Sequence, residues 1–222
     1  MAVKLKGIDL SQHQAHTDGR TKVKFAALKK LGYEFVMLRA GYGMYEIQKD
    51  RAFESHYAAA KAAGLKVGAY HYSYAKSVAE AKREAECFLK WIKGKKLDYP
   101  VAFDIEDSSQ KSLTTAQRTD IALAFMETVE AAGYYTMLYC STDWAKNKLD
   151  MQRLKHFDVW LACYTTEERR RELYKGDILG IWQFRSDLVL PEVYSSSSSK
   201  LDENVAYKDY AAIIKRAGLN LL

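Results

Sequence analysis

The stretch YPVAFDIEDSSQ, residues Tyr99–Gln110, joins an apolar segment to a group of acids. Its first half is rich in residues that favour a buried strand, and Asp104, Glu106 and Asp107 lie at or just beyond the predicted strand end. Side chains two residues apart on a strand point to the same side, so Asp104 and Glu106 share one face. The stretch therefore predicts a buried strand that positions a pair of carboxylates.

The residues that follow place this strand in a repeating pattern. The segment TTAQRTDIALAFMETVEAAG (114–133) predicts a helix with a Thr cap and a Gly stop, and YYTMLYCS (134–141) predicts the next strand. The same alternation recurs along the chain and indicates βαβ units with parallel strands. About eight strands favour an α/β fold of the irregular (β/α) barrel type, a single domain over residues 1–222. The connections after 134–141 and 157–164 look short and poor in long helices, so we expect the irregularity in the second half.

Polar and aromatic residues recur at the predicted strand ends. Because the C-terminal ends of the strands of a β/α barrel meet at one mouth, we expect four carboxylates to converge there: Asp9, Asp104, Glu106 and Asp202. The other candidates at strand ends are Arg39, Tyr70, Tyr139, Trp160, Tyr164, Trp182, Gln183 and Asn204.

This combination of side chains suits glycoside hydrolysis. Two close, partly buried carboxyl groups raise the pKa of at least one of them, which supplies a proton donor at neutral pH. A second, ionised carboxylate stabilises positive charge at the sugar, and aromatic rings stack on sugar rings.

Structural roles compete with these functional ones. A D-x-E sequence is common by chance, and we expect Asp107 to cap the next helix. Arg39 has the alternative role of neutralising the acids, and Trp182 that of ordinary barrel packing. We expect His71 to be a hydrogen-bonded core residue rather than a ligand.

Charge and hydropathy exclude several classes of protein. Lys and Arg number 34 against 28 Asp and Glu, giving a net charge of +6, but the basic residues are scattered. We therefore expect attraction to anionic surfaces and no nucleic-acid site. There is no apolar run of about 18 residues, so no membrane insertion is predicted. The start MAVKLKGIDLSQHQ lacks the long apolar segment of a signal peptide.

Two further features of the sequence are its three cysteines and a run of five serines. Cys87, Cys140 and Cys163 are widely spaced, without a zinc-binding pattern, and we expect reduced, packed thiols; a Cys140–Cys163 disulfide is the alternative. The run SSSSS (195–199) predicts a surface loop or an artificial replacement of one.

Seven segments, taken in order, resemble a known family: GIDLSQHQ, FVMLRAGYG, GAYHYSYA, PVAFDIED, YTMLYCS, VWLACY and IWQF. Over about residues 4–215 the chain is similar to glycoside hydrolase family 25, the Chalaropsis-type lysozymes or N-acetylmuramidases common among phage endolysins and bacterial autolysins. The resemblance implies a β/α barrel with an atypical last strand. It also implies cleavage of the β-1,4 bond between N-acetylmuramic acid and N-acetylglucosamine in bacterial peptidoglycan.

The resemblance also implies residue roles. Glu106 resembles the general acid, and Asp104 resembles the carboxylate that assists the 2-acetamido group or stabilises the oxocarbenium-like centre. Asp9 resembles the family's first-strand acid, and Asp202, in LDEN, the acid of its VDxN segment. Tyr70, Tyr139 and Trp182 resemble the aromatic lining, and we expect Arg39, Gln183 and Asn204 to bind substrate as well. Two departures are WQFRSD, where the family often has WQY followed by Thr or Ser, and the serine-rich segment before Asp202.

Other functions stay open at this stage. A barrel hydrolase acting on another amino-sugar polymer is one, although the chitinase pattern DxxDxDxE is absent. A metal-dependent hydrolase is disfavoured because, of five histidines, only His71 lies at a confident strand end, so no metal or cofactor is predicted. A non-catalytic sugar-binding barrel is the third. We expect a monomer without a separate wall-binding domain. We also expect it to be made in a host cytoplasm and released to the bacterial cell wall through a holin or another route. Whether the chain is a full protein or an excised domain stays open.

Overall fold

The computed structural model describes residues 3–176, 178–195 and 200–222. Within these ranges the chain forms eight strands, closed into one barrel in chain order, and seven α-helices. The strands are β1 (Leu5–Leu10), β2 (Phe35–Tyr42), β3 (Lys66–Tyr72), β4 (Val101–Asp104), β5 (Thr136–Ser141), β6 (Asp158–Ala162), β7 (Leu179–Leu188) and β8 (Leu201–Ala206). The helices are α1 (Phe25–Lys30), α2 (Phe53–Ala62), α3 (Val78–Ile92), α4 (Thr115–Ala131), α5 (Thr142–Asn147), α6 (Glu167–Leu173) and α7 (Tyr210–Ala217). The predicted irregular α/β barrel is confirmed.

Seven strands run parallel and the last runs back. The pairs from β1–β2 to β6–β7 are parallel, whereas β8 is antiparallel to both β7 and β1. A parallel neighbour needs a crossover that returns the chain to the starting edge, and the described residues between β7 and β8 include no helix that does so. The expectation that every strand presents its C-terminal end at the mouth is therefore wrong for β8, whose start lies there.

The helices begin and end where the sequence indicates. Thr114 caps α4 by accepting a hydrogen bond from the backbone N–H of Gln117, and Gly133 follows its end with a φ of 88°. In the second half, α5 and α6 are only 6 and 7 residues long, as the short connections suggested. Most helical cover therefore lies over the first five strands.

Alternate residues of the strands divide the apolar side chains into two layers. One layer fills the barrel interior and includes Phe35, Met37 and Ile181. The other lies between the barrel and the helices and includes Phe103 on β4 and Phe125 on α4, whose rings stack at 4.3 Å. Interior residues nearer the mouth are polar, so the same alternation that builds the core also aims the site residues.

Several predictions about individual residues can be compared with the structure. His71 is fully buried in the outer layer, so its placement in the core is confirmed. Its Nε2 lies 3.3 Å from Glu84 Oε2, but neither ring nitrogen makes a hydrogen bond within the described residues, so the predicted hydrogen bonding is not observed. Cys87, Cys140 and Cys163 are buried free thiols, so the alternative disulfide is not formed. The serine run lies mostly outside the described residues. Among the helices described, none is long and apolar enough to cross a membrane.

Candidate active site

Four carboxyl groups meet at one end of the barrel. Asp9 on β1, Asp104 at the end of β4, Glu106 two residues beyond it and Asp202 at the start of β8 all line a cavity of about 280 Å³. Asp202 reaches this end because β8 is antiparallel, which pairs it directly with Asp9. The structure thus brings together all four acids predicted from the strand ends.

Glu106 is a partly buried acid held by one neighbour. Its Oε2 accepts a hydrogen bond of 2.9 Å from the backbone N–H of Ser141, at the end of β5. Burial raises the pKa of Glu106, and the hydrogen bonds from Ser141 offset only part of that rise. Glu106 therefore holds a proton to higher pH than an ordinary glutamate does.

Asp104 lies deeper in the cavity than Glu106, and one of its carboxyl oxygens has no hydrogen-bond partner in the described part of the chain. Only 6% of the residue is exposed, and its Oδ1 has no hydrogen-bond partner within the described ranges. Burial raises its pKa well above the ordinary value, and the charges of Glu106 and Asp9 raise it further. The two acids of the D-x-E pair thus sit in different environments, with a free acceptor oxygen on the inner one.

Asp9 and Asp202 form a second acid pair. A side-chain hydrogen bond links their carboxyl groups, and burial raises the pKa of both. Asp9 Oδ2 also accepts hydrogen bonds of 2.7 Å from Gln183 Nε2 and 2.9 Å from Asn204 Nδ2. A carboxyl fixed by two amide donors has one orientation, which suits a positioning role.

The side-chain amides of Gln183 and Asn204 are in turn fixed by hydrogen bonds to their oxygens. Gln183 Oε1 accepts 2.9 Å hydrogen bonds from the hydroxyls of Tyr139 and Tyr164. Asn204 Oδ1 accepts a 2.7 Å hydrogen bond from Trp160 Nε1. Gln183 lines the cavity, but Asn204 is fully buried behind Asp9 and does not. The structure therefore places Asn204 as a support of Asp9 rather than at the cavity surface.

The aromatic lining differs from the predicted one, because Tyr72 and Trp160 line the cavity and Trp182 does not. Tyr70 and Tyr139 line the cavity as expected, with the ring of Trp160 between them at centroid distances of 5.7 and 4.6 Å. Trp182 instead points outward from β7, where Nε1 donates to the carbonyl of Cys163 and the Arg170 guanidinium lies over its ring. The expected placement of Trp182 in the lining is thus not what the structure shows, and Trp160 lies there instead.

Arg39 is part of an ion pair that the sequence did not reveal. Its Nε donates a 2.8 Å hydrogen bond to Asp50 Oδ2, and the Asp50 side chain is fully buried. The same carboxylate accepts backbone N–H groups of Gln12 and Ala52, which ties the loops after β1 and β2 together. No strand ends at Asp50, so only the contact itself identifies it.

Two remaining predictions concern capping and metals. Asp107 accepts a hydrogen bond of 2.9 Å from the backbone N–H of Ser109 and caps the short 3-10 helix Ser108–Gln110, which confirms its structural role. Searched over the described residues, the chain holds no group of three or more His, Cys, Asp or Glu side chains arranged for a metal ion.

Comparisons with known proteins agree with this geometry. The profile described as "Glycosyl hydrolases family 25" matches residues 8–193. An autolytic lysozyme of Clostridium acetobutylicum is 31% identical over 160 residues, which cover 72% of this chain and 45% of that protein. The chain thus spans less than half the length of this curated relative.

Solved structures show the same architecture. The CTP1L endolysin is 25% identical with a TM-score of 0.77, over 96% of this chain and 70% of that one. A family GH25 lysozyme from Aspergillus fumigatus is 24% identical and shares the fold, with a TM-score of 0.72 over 97% of this chain and 99% of that one. The chain belongs to glycosyl hydrolases family 25.

Proposed function

We propose that the protein is a peptidoglycan N-acetylmuramidase, which hydrolyses the β-1,4 bond between N-acetylmuramic acid and N-acetylglucosamine. One observation carries the proposal: Asp104 and Glu106 line one cavity in different environments. Asp104 lies deep with an acceptor oxygen that has no partner among the described residues, and Glu106 lies nearer solvent with the backbone N–H of Ser141 on its Oε2. Membership of the family and similarity to an autolytic lysozyme and an endolysin support the choice of substrate.

Glu106 acts as the general acid. Its raised pKa favours the protonated carboxyl, which can donate its proton to the glycosidic oxygen as the bond from C1 to that oxygen breaks. The leaving sugar departs as an alcohol, and Glu106 becomes a carboxylate. The carboxylate then takes a proton from the water that attacks C1, which restores the acid.

Asp104 acts on the other side of the reacting carbon. Its Oδ1, buried and without a partner among the described residues, can accept the N–H of the 2-acetamido group. This contact orients the acetamido oxygen toward C1, where that oxygen stabilises the positive charge that develops as the bond breaks. Family members that use substrate assistance in this way need no protein nucleophile at C1.

Asp9, Asp202 and their partners shape the rest of the cavity. The raised pKa values of Asp9 and Asp202 favour their neutral forms and so limit the negative charge beside Asp104, and the donors from Gln183 and Asn204 fix Asp9. We assign Asp9 and Asp202 to positioning the sugar and tuning the field at the reacting carbon. The aromatic lining of Tyr70, Tyr139 and Trp160 supplies ring faces and edges for the sugar.

We further propose that residues 1–222 act as one catalytic unit, as a monomer, on the walls of bacteria. We also expect no nucleic-acid partner and no membrane insertion. Size-exclusion chromatography with light scattering checks the monomer, for which the expected mass is about 25.4 kDa.

The Glu106→Gln variant tests the assignment of the general acid. Glutamine keeps the shape and the hydrogen bond from Ser141 but has no acidic proton. We expect the rate at which reducing ends appear from purified peptidoglycan to fall about 100-fold or more, with the far-UV circular dichroism and Tm close to wild type. Glu130→Gln is the matched control because Glu130 is exposed and pairs with His156, and it should keep full activity. An active Glu106→Gln protein would contradict the assignment.

A further inference from the structure

A second cavity adjoins the one that holds the acids. It has a volume of about 440 Å³ and is lined by Gln12, His13, Arg39, Tyr42, Tyr72 and Tyr74. Three of these residues, His13, Arg39 and Tyr72, line both cavities. A substituent on a sugar ring bound at the acids would therefore extend directly into the second cavity.

Arg39 stands at the junction with its guanidinium fixed. Its Nε is bound to the buried Asp50, and its Cζ lies 5.5 Å from the centroid of the Tyr42 ring. Its Nη2, in contrast, is buried and has no hydrogen-bond partner in the parts of the chain that the structure describes. A guanidinium held on one edge and free on the other is prepared to donate to an oxygen acceptor.

Asp50 does not compete for the free edge of Arg39. Its Oδ1 accepts from the backbone N–H of Ala52, and its Oδ2 accepts from Gln12 N–H and Arg39 Nε. The carboxylate is therefore committed to the loops and to one nitrogen of Arg39. Among the described residues, no acceptor meets Nη2, so that edge of the guanidinium is available to an acceptor from outside the chain.

Tyrosines form the far wall of the second cavity. The ring centroids of Tyr42 and Tyr74 are 6.1 Å apart, and those of Tyr72 and Tyr74 are 5.2 Å apart, both edge to face. The Tyr72 hydroxyl donates to Asp107 Oδ2 at 3.0 Å, which fixes that ring, while Tyr74 is 43% exposed. This side of the second cavity is thus aromatic and ordered, and it is open at its outer edge. These features suit an amide-rich or aliphatic chain that leaves the cavity there.

We propose that this second cavity binds the 3-O-lactyl substituent of the muramyl residue, with Arg39 donating to the lactyl carbonyl oxygen. N-acetylmuramic acid differs from N-acetylglucosamine only by this ether-linked group, so the contact selects between the two sugars. The carbonyl belongs to an amide when the peptide stem is attached and to a carboxylate when it is not, and a guanidinium binds both. The inference rests on the proposed function, since it presumes that the muramyl ring lies at the acids.

A binding experiment with the catalytically disabled Glu106→Gln protein tests the proposal. Three tetrasaccharides are titrated: alternating N-acetylglucosamine and N-acetylmuramic acid with peptide stems, the same strand with the stems removed by an amidase, and N-acetylglucosamine alone. We expect at least one muramyl ligand to bind about tenfold or more tightly than the N-acetylglucosamine tetramer. Preference for the stem-bearing ligand assigns the amide form, and preference for the stem-free ligand assigns the carboxylate form. Equal affinity for all three overturns the proposal and indicates a neutral sugar on the tyrosines.

Changing Arg39 then assigns the preference to its side chain. In Arg39→Lys the cation still has Asp50 as a partner, but the planar fork with its free edge is lost. We expect the preference to fall to within about threefold. The matched control is Arg20→Lys, because Arg20 is exposed and its guanidinium, among the described residues, pairs with Asp18 alone; this variant should keep the full preference. An unchanged preference in Arg39→Lys overturns the proposal.

A measurement without substitution at Arg39 covers the case in which that variant fails to fold. The Nε–H of Arg39, held by Asp50, should give a resolved ¹⁵N side-chain resonance in the Glu106→Gln protein. The resonance should shift on addition of the muramyl ligands and stay in place with the N-acetylglucosamine tetramer; the reverse pattern contradicts the proposal. If the unmodified protein releases no reducing ends from peptidoglycan, the proposed function has failed. If it does and the binding tests fail, only this inference has failed.

Discussion

Replacing Asn204 by leucine separates a supporting role from a substrate contact. Sequence reasoning predicts that Asn204 binds substrate, whereas the structure buries it completely behind Asp9. Its side chain donates to Asp9 Oδ2 at 2.9 Å and to the Asp202 carbonyl at a longer 3.5 Å, and it accepts from Trp160 Nε1 at 2.7 Å. Leucine has a similar size and removes all three bonds.

The expected cost follows from the groups that remain. The indole N–H of Trp160 is left buried without an acceptor, at about 1–3 kcal/mol, and the lost bond to Asp9 adds about 1 kcal/mol. The total is a loss of about 2–4 kcal/mol in the free energy of unfolding. For a chain of 222 residues this corresponds to a fall in Tm of roughly 5–15 °C. Because Asn204 acts through Asp9, we expect kcat to fall about tenfold with KM within about twofold of wild type.

Urea unfolding and steady-state kinetics on soluble peptidoglycan fragments measure both effects. The control is Asn147→Leu, because Asn147 is exposed and donates only to Asp143 one turn earlier; its stability should stay within about 0.5 kcal/mol of wild type. The supporting role would be refuted by an Asn204→Leu protein of wild-type stability whose only defect is a raised KM.

Three further predictions follow from the same geometry. Asp104→Asn should be more stable than wild type at pH 7. Because the pKa of Asp104 is raised in the folded state, the wild-type protein loses stability as the pH rises above about 4, the ordinary pKa, through the folded-state value. The gain in the variant should vanish below about pH 4, and a stability difference that is constant across pH in thermal melts would contradict this prediction. Trp160→Phe and Trp182→Phe each lose one indole hydrogen bond. Trp160→Phe should lower kcat/KM about tenfold, whereas the kcat/KM of Trp182→Phe should stay within about twofold of wild type. Equal losses of kcat/KM would place both rings in the site. The net charge of +6 should make lysis of whole walls slow as NaCl rises from about 0.01 to about 0.3 M, with hydrolysis of short fragments unaffected, and a salt-independent lytic rate would exclude electrostatic attachment.

The sequence predicted the strands and the acids well because both leave local signals. Each strand is a short apolar run, and Gly133 and the Thr114 cap mark the ends of α4. The direction of β8 left no such signal, because it depends on the absence of a crossover helix rather than on residues of the strand. Asp202 reached the mouth all the same, since the start of an antiparallel strand lies where the ends of its parallel neighbours lie.

The side of the barrel on which each tryptophan lies was harder to predict. In a barrel covered by helices both faces of a strand are apolar, so alternation does not say which of two rings points inward. Trp160 and Trp182 therefore looked equivalent, and register irregularities occur on both β6–β7 and β7–β8. Asp50 was missed for another reason, since its partner Arg39 is 11 residues away across a loop, and only the folded chain brings them within 2.8 Å.

Digestion of purified Gram-positive peptidoglycan, followed by mass spectrometry of the new chain ends, shows which of the two glycosidic bonds is cleaved. We expect reducing-end N-acetylmuramic acid from the wild-type protein and none above background from Glu106→Gln. Reducing-end N-acetylglucosamine would instead mean that the other glycosidic bond is cleaved, and would contradict the placement of the muramyl ring beside Asp104 and Arg39.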